Sequence, residues 1–247
     1  MKQLLLVMTM VLALQADTLR IAVAANVSYA IEALKTGFLQ QHPGTTVEVI
    51  LGSSGKLTAQ IMHGAPYDLF LSADMKYPER LHAEGLATSV PAVYAKGSLI
   101  MLTTRDLPLE KGLALLTDPR IERIAVANYR LAPYGKAAVE AMKQSGVLQS
   151  AKAKFINGES ITQTVQYTLT AADVGFIAKS AIFSPKLSRY NREGINWVEI
   201  DPSLYPGIKQ GMVLLEHGKR TPLAQAFYDF MLSPEAKKIL QEHGYRP

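Results

Sequence analysis

The chain contains no cysteine among its 247 residues. This absence excludes disulfide bonds, thiolate metal sites and cysteine nucleophiles, and it also excludes a lipid anchor on an N-terminal cysteine. The hydrophobic core must therefore stabilise the fold alone. The length is compatible with one large domain or with two domains of ordinary size.

Long hydrophobic runs are also absent, apart from one at the N-terminus. Residues 1–2 carry a lysine, residues 4–14 are uncharged and mostly apolar, and Ala16 follows closely. This order is typical of a secretory signal, and a run of that length is too short to span a bilayer. We expect residues 1–16 to be a signal peptide that is cleaved after Ala16, and the mature protein to be exported in soluble form to the periplasm.

Blocks of like charge are missing as well. The formal charge is +5, from 26 Lys and Arg against 21 Asp and Glu, and removal of Lys2 with the signal takes one unit from it. Because the two signs are interspersed, the composition argues against nucleic-acid binding. A mildly positive surface slightly favours the approach of anions, but ordinary solubilising charge is the better explanation.

Apolar runs alternate with helical patterns along most of the chain, which is typical of an α/β protein. Four strand–turn–helix units are predicted, and the two C-terminal segments read as helices. Crossover segments are expected at 94–97 and 205–211. They divide the chain into a first lobe, residues 17–96 plus 208–247, and a second lobe, residues 97–207, so that a cleft between the lobes would be faced by helix N-termini from both sides.

The four turns carry the residues of chemical interest. A helix N-terminus presents N–H groups without intrahelical partners and the positive end of the helix dipole, so it binds anions without a formal positive charge. The turns add hydroxyl and amide donors and contain no arginine, which suits a deprotonated dianion that is held and then released. Ordinary helix capping explains each turn taken singly. The residues concerned are Asn26 with Ser28, Ser53 with Ser54, 133–135, and Ser160 with Ile161.

Several segments of the chain resemble the periplasmic molybdate-binding proteins of ABC transporters. The most specific is residues 64–74, which read Gly-Ala-Pro-Tyr-Asp-Leu-Phe-Leu-Ser-Ala-Asp. The resemblance covers essentially the whole mature chain, and its other segments are residues 21–26, 52–55, 132–135, 173–178 and 227–245. It implies a type II periplasmic-binding-protein fold, in which each lobe is a mixed sheet flanked by helices and the ligand lies in the cleft between them.

The same resemblance implies the ligand and the residues that hold it. The ligand would be molybdate or tungstate, bound by neutral donors and without direct contact between protein and metal. Asn26 and Ser54 would donate from their side chains, and Tyr134 and Ile161 from their backbone N–H groups. Ala178 departs from the family pattern, because many members place there a tyrosine whose hydroxyl reaches the ligand. The partner would be the membrane permease of an ABC importer, and the receptor itself a monomer without a cofactor.

Enzyme motifs fail on their spacing. Residues 52–58 lack the glycine separation and the Ser or Thr after lysine that a P-loop needs, and the glycines do not flank a serine as in a nucleophile elbow. The five histidines show no metal-ligand spacing. Asp68 and Asp74 are expected to be structural and to point away from the cleft. A receptor for sulfate or another oxyanion remains the alternative, followed by an exported enzyme.

Overall fold

The computed structural model describes residues 18–246, so the predicted signal peptide lies outside the described residues. The strands are β1 (Thr18–Ala24), β2 (Thr46–Gly52), β3 (Leu69–Leu71), β4 (Ala92–Gly97), β5 (Leu99–Leu102), β6 (Ile124–Ala127), β7 (Phe155–Gly158), β8 (Val174–Ala178), β9 (Trp197–Glu199) and β10 (Ile208–Leu214).

The α-helices are α1 (Ile31–Gln41), α2 (Ser54–Met62), α3 (Lys76–Ala83), α4 (Pro133–Gln144), α5 (Leu148–Lys152), α6 (Ile161–Thr170), α7 (Pro222–Leu232) and α8 (Pro234–Glu242). Short 3₁₀ helices connect them at Ala25–Tyr29, Leu109–Thr117, Lys179–Phe183, Pro185–Tyr190, Pro202–Leu204 and His217–Arg220.

The strands form two five-stranded mixed sheets. The first has the order β2-β1-β3-β10-β4 and the second β7-β6-β8-β5-β9. In each sheet the first three strands are parallel and the last two pair antiparallel with their neighbours. We call the first sheet with α1–α3, α7 and α8 lobe 1, and the second sheet with α4–α6 lobe 2. The predicted α/β class with two helix-flanked mixed sheets is confirmed.

Each sheet is buried on both faces, as expected where helices cover both sides. Phe38, Phe227 and Phe230 pack on one face of the lobe 1 sheet, with ring centroids 4.9–6.0 Å apart. Leu57 and Leu81 pack on the other face. In lobe 2 the larger apolar cluster extends across the cleft to alanines of lobe 1, which means that the two lobes are in contact.

The connections between the lobes differ from the predicted crossovers in one respect. The chain passes to lobe 2 after Gly97 and returns between Glu199 and Ile208. Residues 94–97 and 208–211, predicted as crossover segments, instead lie in β4 and β10, which pair antiparallel. The glycine that suggested a loop, Gly211, sits where the register of this pair shifts, and an added Cβ would lie 2.8 Å from the carbonyl oxygen of Asp74.

Candidate functional site

A small cavity lies where the two lobes meet. The turns after β1 and β2 face it from lobe 1, and the starts of α4 and α6 face it from lobe 2, because the carboxyl ends of parallel strands share one edge of each sheet. Its volume is about 10 Å³, close to what one water molecule requires. The lining residues are Ala24, Ala25, Asn26, Gly52, Ser53, Ser54, Ala73, Ala132, Pro133, Tyr134 and Ile161.

The four residues predicted for the site, Asn26, Ser54, Tyr134 and Ile161, all line this cavity. They come from four different turns, two in each lobe. Each is also buried, with between 0% and 4% of its surface exposed. Any ligand held here is therefore desolvated by both lobes at once.

The start of α2 carries two serines with different roles. The Ser54 hydroxyl accepts a hydrogen bond from the backbone N–H of Ala73 at 3.0 Å, which orients the hydroxyl within lobe 1 and leaves its proton available to a ligand. The Ser53 hydroxyl, one residue earlier, is buried and has no hydrogen-bond partner among the described residues. Ser53 also precedes the first residue of the helix without capping it through its side chain. A buried hydroxyl without a partner is unfavourable, and a ligand in the cavity would satisfy it.

The lobe 2 side of the cavity offers backbone donors. Pro133 is the first residue of α4, which leaves the N–H of Tyr134 as the first donor of that helix. The Ser160 side chain caps α6 by accepting from the N–H of Gln163, and Ile161 is the first residue of that helix. The initial N–H groups of both helices lack intrahelical acceptors. The geometry thus suits the backbone donation that the resemblance implies.

Asn26 behaves differently from the prediction. Its Nδ2 donates to Oε1 of Gln210 at 2.8 Å and to the hydroxyl of Tyr245 at 2.9 Å, so both amide protons are engaged behind the cavity. Gln210 is itself oriented, since its Nε2 donates to the carbonyl oxygen of Ile208. In this arrangement the Asn26 side chain has no amide proton left for a ligand, so its predicted donation to the ligand would need these bonds to rearrange. Its Oδ1 is buried without a partner among the described residues.

The phenol of Tyr134 also points to this region behind the cavity. Its hydroxyl lies so close to Gly97 that a Cβ there would overlap with it, and the Gln210 amide is adjacent. Burial raises the pKa of Tyr134 well above its usual value, and the neighbouring tyrosines 245, 94 and 205 raise it further. The phenol therefore stays neutral and adds no negative charge beside the cavity.

Contacts across the cleft hold the lobes together at its mouth. The N–H of Gly55 donates to the carbonyl oxygen of Leu131 at 2.9 Å, and the Tyr77 hydroxyl donates to the same carbonyl at 3.5 Å. Nζ of Lys56 lies 3.6 Å from a carboxylate oxygen of Glu159, and both side chains are largely exposed. The lysine thus pairs with lobe 2 at the surface and does not line the cavity.

A second cavity between the lobes is lined by charged side chains, unlike the first. It measures about 180 Å³, and its lining includes Asp74, Lys76 and Lys136. The expectation that Asp74 points away from the cleft is therefore wrong, although its carboxylate does accept from the N–H of Tyr77 in the first turn of α3. Burial raises the pKa of Asp74, and hydrogen bonds and the two lysines oppose that rise.

Asp68 is structural, as expected. Its buried carboxylate accepts from the N–H of Arg20 at 2.7 Å and lies 2.8 Å from Nδ1 of His217. Ala178, where the family often has a tyrosine, is fully buried at the end of β8 and does not line the small cavity. Sequence reasoning named Ser53 among the residues of its turn, but the resemblance left it out of the ligand-binding set. Its position as a serine directly before a predicted helix was the available signal.

Two further observations concern metal sites and membrane-spanning helices in the described part of the chain. Among residues 18–246, no three His, Asp or Glu side chains come close enough together to hold a metal ion. Within the same range, no helix is long and apolar enough to cross a membrane.

The fold and the site define a two-lobed solute-binding protein with a ligand cavity between the lobes. The chain matches the family model of the bacterial extracellular solute-binding proteins over residues 19–246 and belongs to that family. It is 36% identical to the molybdate-binding protein ModA of Rhodobacter capsulatus, over 97% of this chain and 92% of that one.

Solved structures agree with this assignment. The periplasmic molybdate-binding protein of Azotobacter vinelandii is 29% identical and superimposes with a TM-score of 0.84, covering 93% of this chain and 99% of that one. The sulfate-binding protein SubI of Mycobacterium tuberculosis superimposes with a TM-score of 0.76 over 94% of this chain and 87% of that one. At 14% identity the latter shows the shared fold alone. The relatives are binding proteins rather than enzymes.

Proposed function

We propose that this protein is an extracytoplasmic receptor that captures molybdate or tungstate between its lobes and delivers it to the permease of an ABC importer. One observation carries the proposal. The small cavity is lined by residues of both lobes without a charged side chain, and it contains the unpartnered hydroxyl of Ser53. The names of the relatives from Rhodobacter capsulatus and Azotobacter vinelandii support the same ligand.

The donors in this proposal are neutral. The Ser53 hydroxyl and the first N–H groups of α2, α4 and α6 surround the oxyanion, and the positive ends of three helix dipoles offset its charge. We keep Asn26, Ser54, Tyr134 and Ile161 in the proposed site, with Asn26 contributing through its backbone, and add Ser53 as a hydroxyl donor. No direct bond from protein to molybdenum or tungsten is part of this arrangement.

One atom favours a second class of ligand, oxyanions that carry a proton. Oδ1 of Asn26 is an unpartnered acceptor on a residue of the cavity, and a protonated oxyanion such as hydrogenphosphate needs an acceptor. An amide oxygen is a weaker acceptor than a carboxylate, so the fully deprotonated dianion remains the first candidate. Sulfate shares that charge and differs in size.

Calorimetric titration with molybdate, tungstate, sulfate and phosphate tests the proposal. We expect molybdate and tungstate to bind more tightly than sulfate, and phosphate to bind least. Ser53→Ala should weaken molybdate binding by about 1.5–3 kcal/mol, roughly ten- to a hundred-fold, since it removes a hydrogen bond to a charged group. Ser54→Ala is the matched control one residue away and should weaken binding less. Tight phosphate binding, or no binding of any of the four anions, would contradict the proposal.

The remaining parts of the proposal follow from the same site. The described lining contains no histidine, carboxylate or lysine that could act as an acid or base, which supports a receptor without catalytic activity or cofactor. The interspersed charges support a receptor that binds no nucleic acid, and we propose that it acts as a monomer. Export by the predicted signal peptide would place the mature receptor in the periplasm.

A further inference from the structure

The turn that carries Asn26 depends on contacts from distant parts of the chain. It is the 3₁₀ helix Ala25–Tyr29, which has no side-chain cap. Asn26 is fully buried, so its carbonyl oxygen and its amide must find protein partners. Two hydroxyls donate to that carbonyl: Tyr245 at 2.9 Å and Ser180 at 3.0 Å. A third partner, Gln210, accepts from the side-chain amide.

Tyr245 makes two hydrogen bonds to Asn26 in this turn. Its hydroxyl donates to the backbone carbonyl of Asn26 and accepts from Nδ2 of the same residue, both at 2.9 Å. Burial raises the pKa of Tyr245 to about 12, so the phenol keeps its proton at physiological pH and can do both at once. The two bonds fix the peptide plane and the side chain of Asn26 together.

The segment around Tyr245 also spans the two lobes. Arg246 pairs with Lys96 through two backbone hydrogen bonds of 2.8 Å, which adds the C-terminal segment to β4, the last strand before the chain enters lobe 2. On the lobe 2 side, the Tyr245 hydroxyl lies 3.4 Å from Oγ of Ser180, and the Arg246 guanidinium pairs with Glu199. Tyr245 therefore sits where the binding turn, the connection between the lobes and lobe 2 meet.

We propose that Tyr245 is a positioning residue of the binding site, whose hydroxyl holds the Asn26 turn in the geometry that receives the oxyanion. This inference rests on the proposed function. Tyr245 does not line the cavity, so it acts through Asn26 alone. When its hydroxyl is removed, one amide proton of Asn26 loses its acceptor and the Asn26 carbonyl loses one of its two donors. The turn can then rotate away from the ligand.

The experiment compares Tyr245→Phe with Tyr205→Phe on the full mature chain. Tyr205 is also buried, and its hydroxyl accepts from the N–H of Leu99 at 3.2 Å without touching Asn26. We expect Tyr245→Phe to lower the affinity for molybdate roughly five- to ten-fold, as for one lost hydrogen bond, and Tyr205→Phe to leave it within two-fold. Equal thermal destabilisation with unequal affinity would separate positioning from a merely structural role.

Ser180→Ala keeps the inference testable if Tyr245→Phe does not fold, because it removes the other donor to the same carbonyl. It should lower the affinity as well, and the two changes should be non-additive in a double-mutant cycle. The side-chain amide resonances of Asn26 in the ligand-free protein should shift in Tyr245→Phe and not in Tyr205→Phe. Wild-type protein that binds no oxyanion would overturn the proposed function and this inference with it. Normal binding by wild type and by both variants at position 245 and 180 would overturn the inference alone.

Discussion

Closure of the cleft depends on the absence of a side chain at Gly55, and Gly55→Ala tests this. A Cβ at that position would lie 2.7 Å from the Tyr77 hydroxyl and 3.0 Å from Cα of Leu131. The Tyr77 hydroxyl lies at the end of a flexible side chain and can move aside. The Leu131 contact is with backbone of the other lobe, so it can be relieved only if the lobes separate. The strain therefore falls on the closed arrangement.

The size of the expected loss in affinity follows from one overpacked contact and one broken hydrogen bond. Overpacking a well-packed contact costs about 1–3 kcal/mol, and separation of the lobes also breaks the hydrogen bond from the Gly55 N–H to Leu131. We expect the affinity for molybdate to fall roughly five- to 150-fold. Alanine is favoured over glycine within a helix by about 1 kcal/mol, so the ligand-free variant should not be less stable than wild type.

Two measurements check this prediction. Calorimetry gives the affinity, and small-angle scattering gives the change in radius of gyration on addition of molybdate, which should be smaller in the variant than in wild type. Gly207→Ala is the control, because a Cβ there meets no atom within 4 Å. Repeating Gly55→Ala in a Tyr77→Phe background removes the nearer contact and leaves Leu131. Unchanged affinity and full compaction in Gly55→Ala would refute the closure argument.

Two other predictions concern charged groups outside the cavity. Burial raises the pKa of Asp173, but two backbone N–H groups and the Arg105 guanidinium outweigh it and hold that pKa below its ordinary value of 3.8. The stability that its ionised form contributes is present above that value and is lost as the pH falls below it. Asp173→Asn should therefore lower the melting temperature at pH 7 and approach wild type in acid, and a constant difference would contradict this. Lys56→Ala should change the affinity for molybdate less than two-fold by calorimetry, because its pairing with Glu159 is exposed; a ten-fold loss would mean that a basic group holds the anion.

The alternation of strands, turns and helices could be predicted because it is local. Apolar periodicity and the punctuation of glycine and proline identified both C-terminal helices and the alternation of strands with helices. The same reasoning misjudged β4 and the first half of β10. These short, glycine-containing segments are strands because they pair with each other. Even the paired residues nearest in sequence, Gly97 and Ile208, are 111 positions apart in the chain.

The roles of individual side chains in the site could not be predicted in the same way. Ser53 and Ser54 are adjacent and chemically identical, and only the N–H of Ala73, 19 residues away from Ser54, makes their surroundings differ, because it donates to the Ser54 hydroxyl. The amide of Asn26 is oriented by partners 184 and 219 residues away. Sequence patterns identified the turns that form the site, whereas tertiary contacts determine which atoms of those turns face the ligand.

The distribution of donors between the lobes indicates how such a site could release its ligand. Lobe 1 contributes Ser53 and the start of α2, and lobe 2 contributes the starts of α4 and α6. No charged side chain among the described lining residues would keep the anion attached to one lobe after separation. Opening removes half of the donors and lets water reach the rest, and both changes weaken electrostatic binding steeply. A site built from neutral donors can therefore bind a dianion firmly when closed and still release it when a transporter separates the lobes.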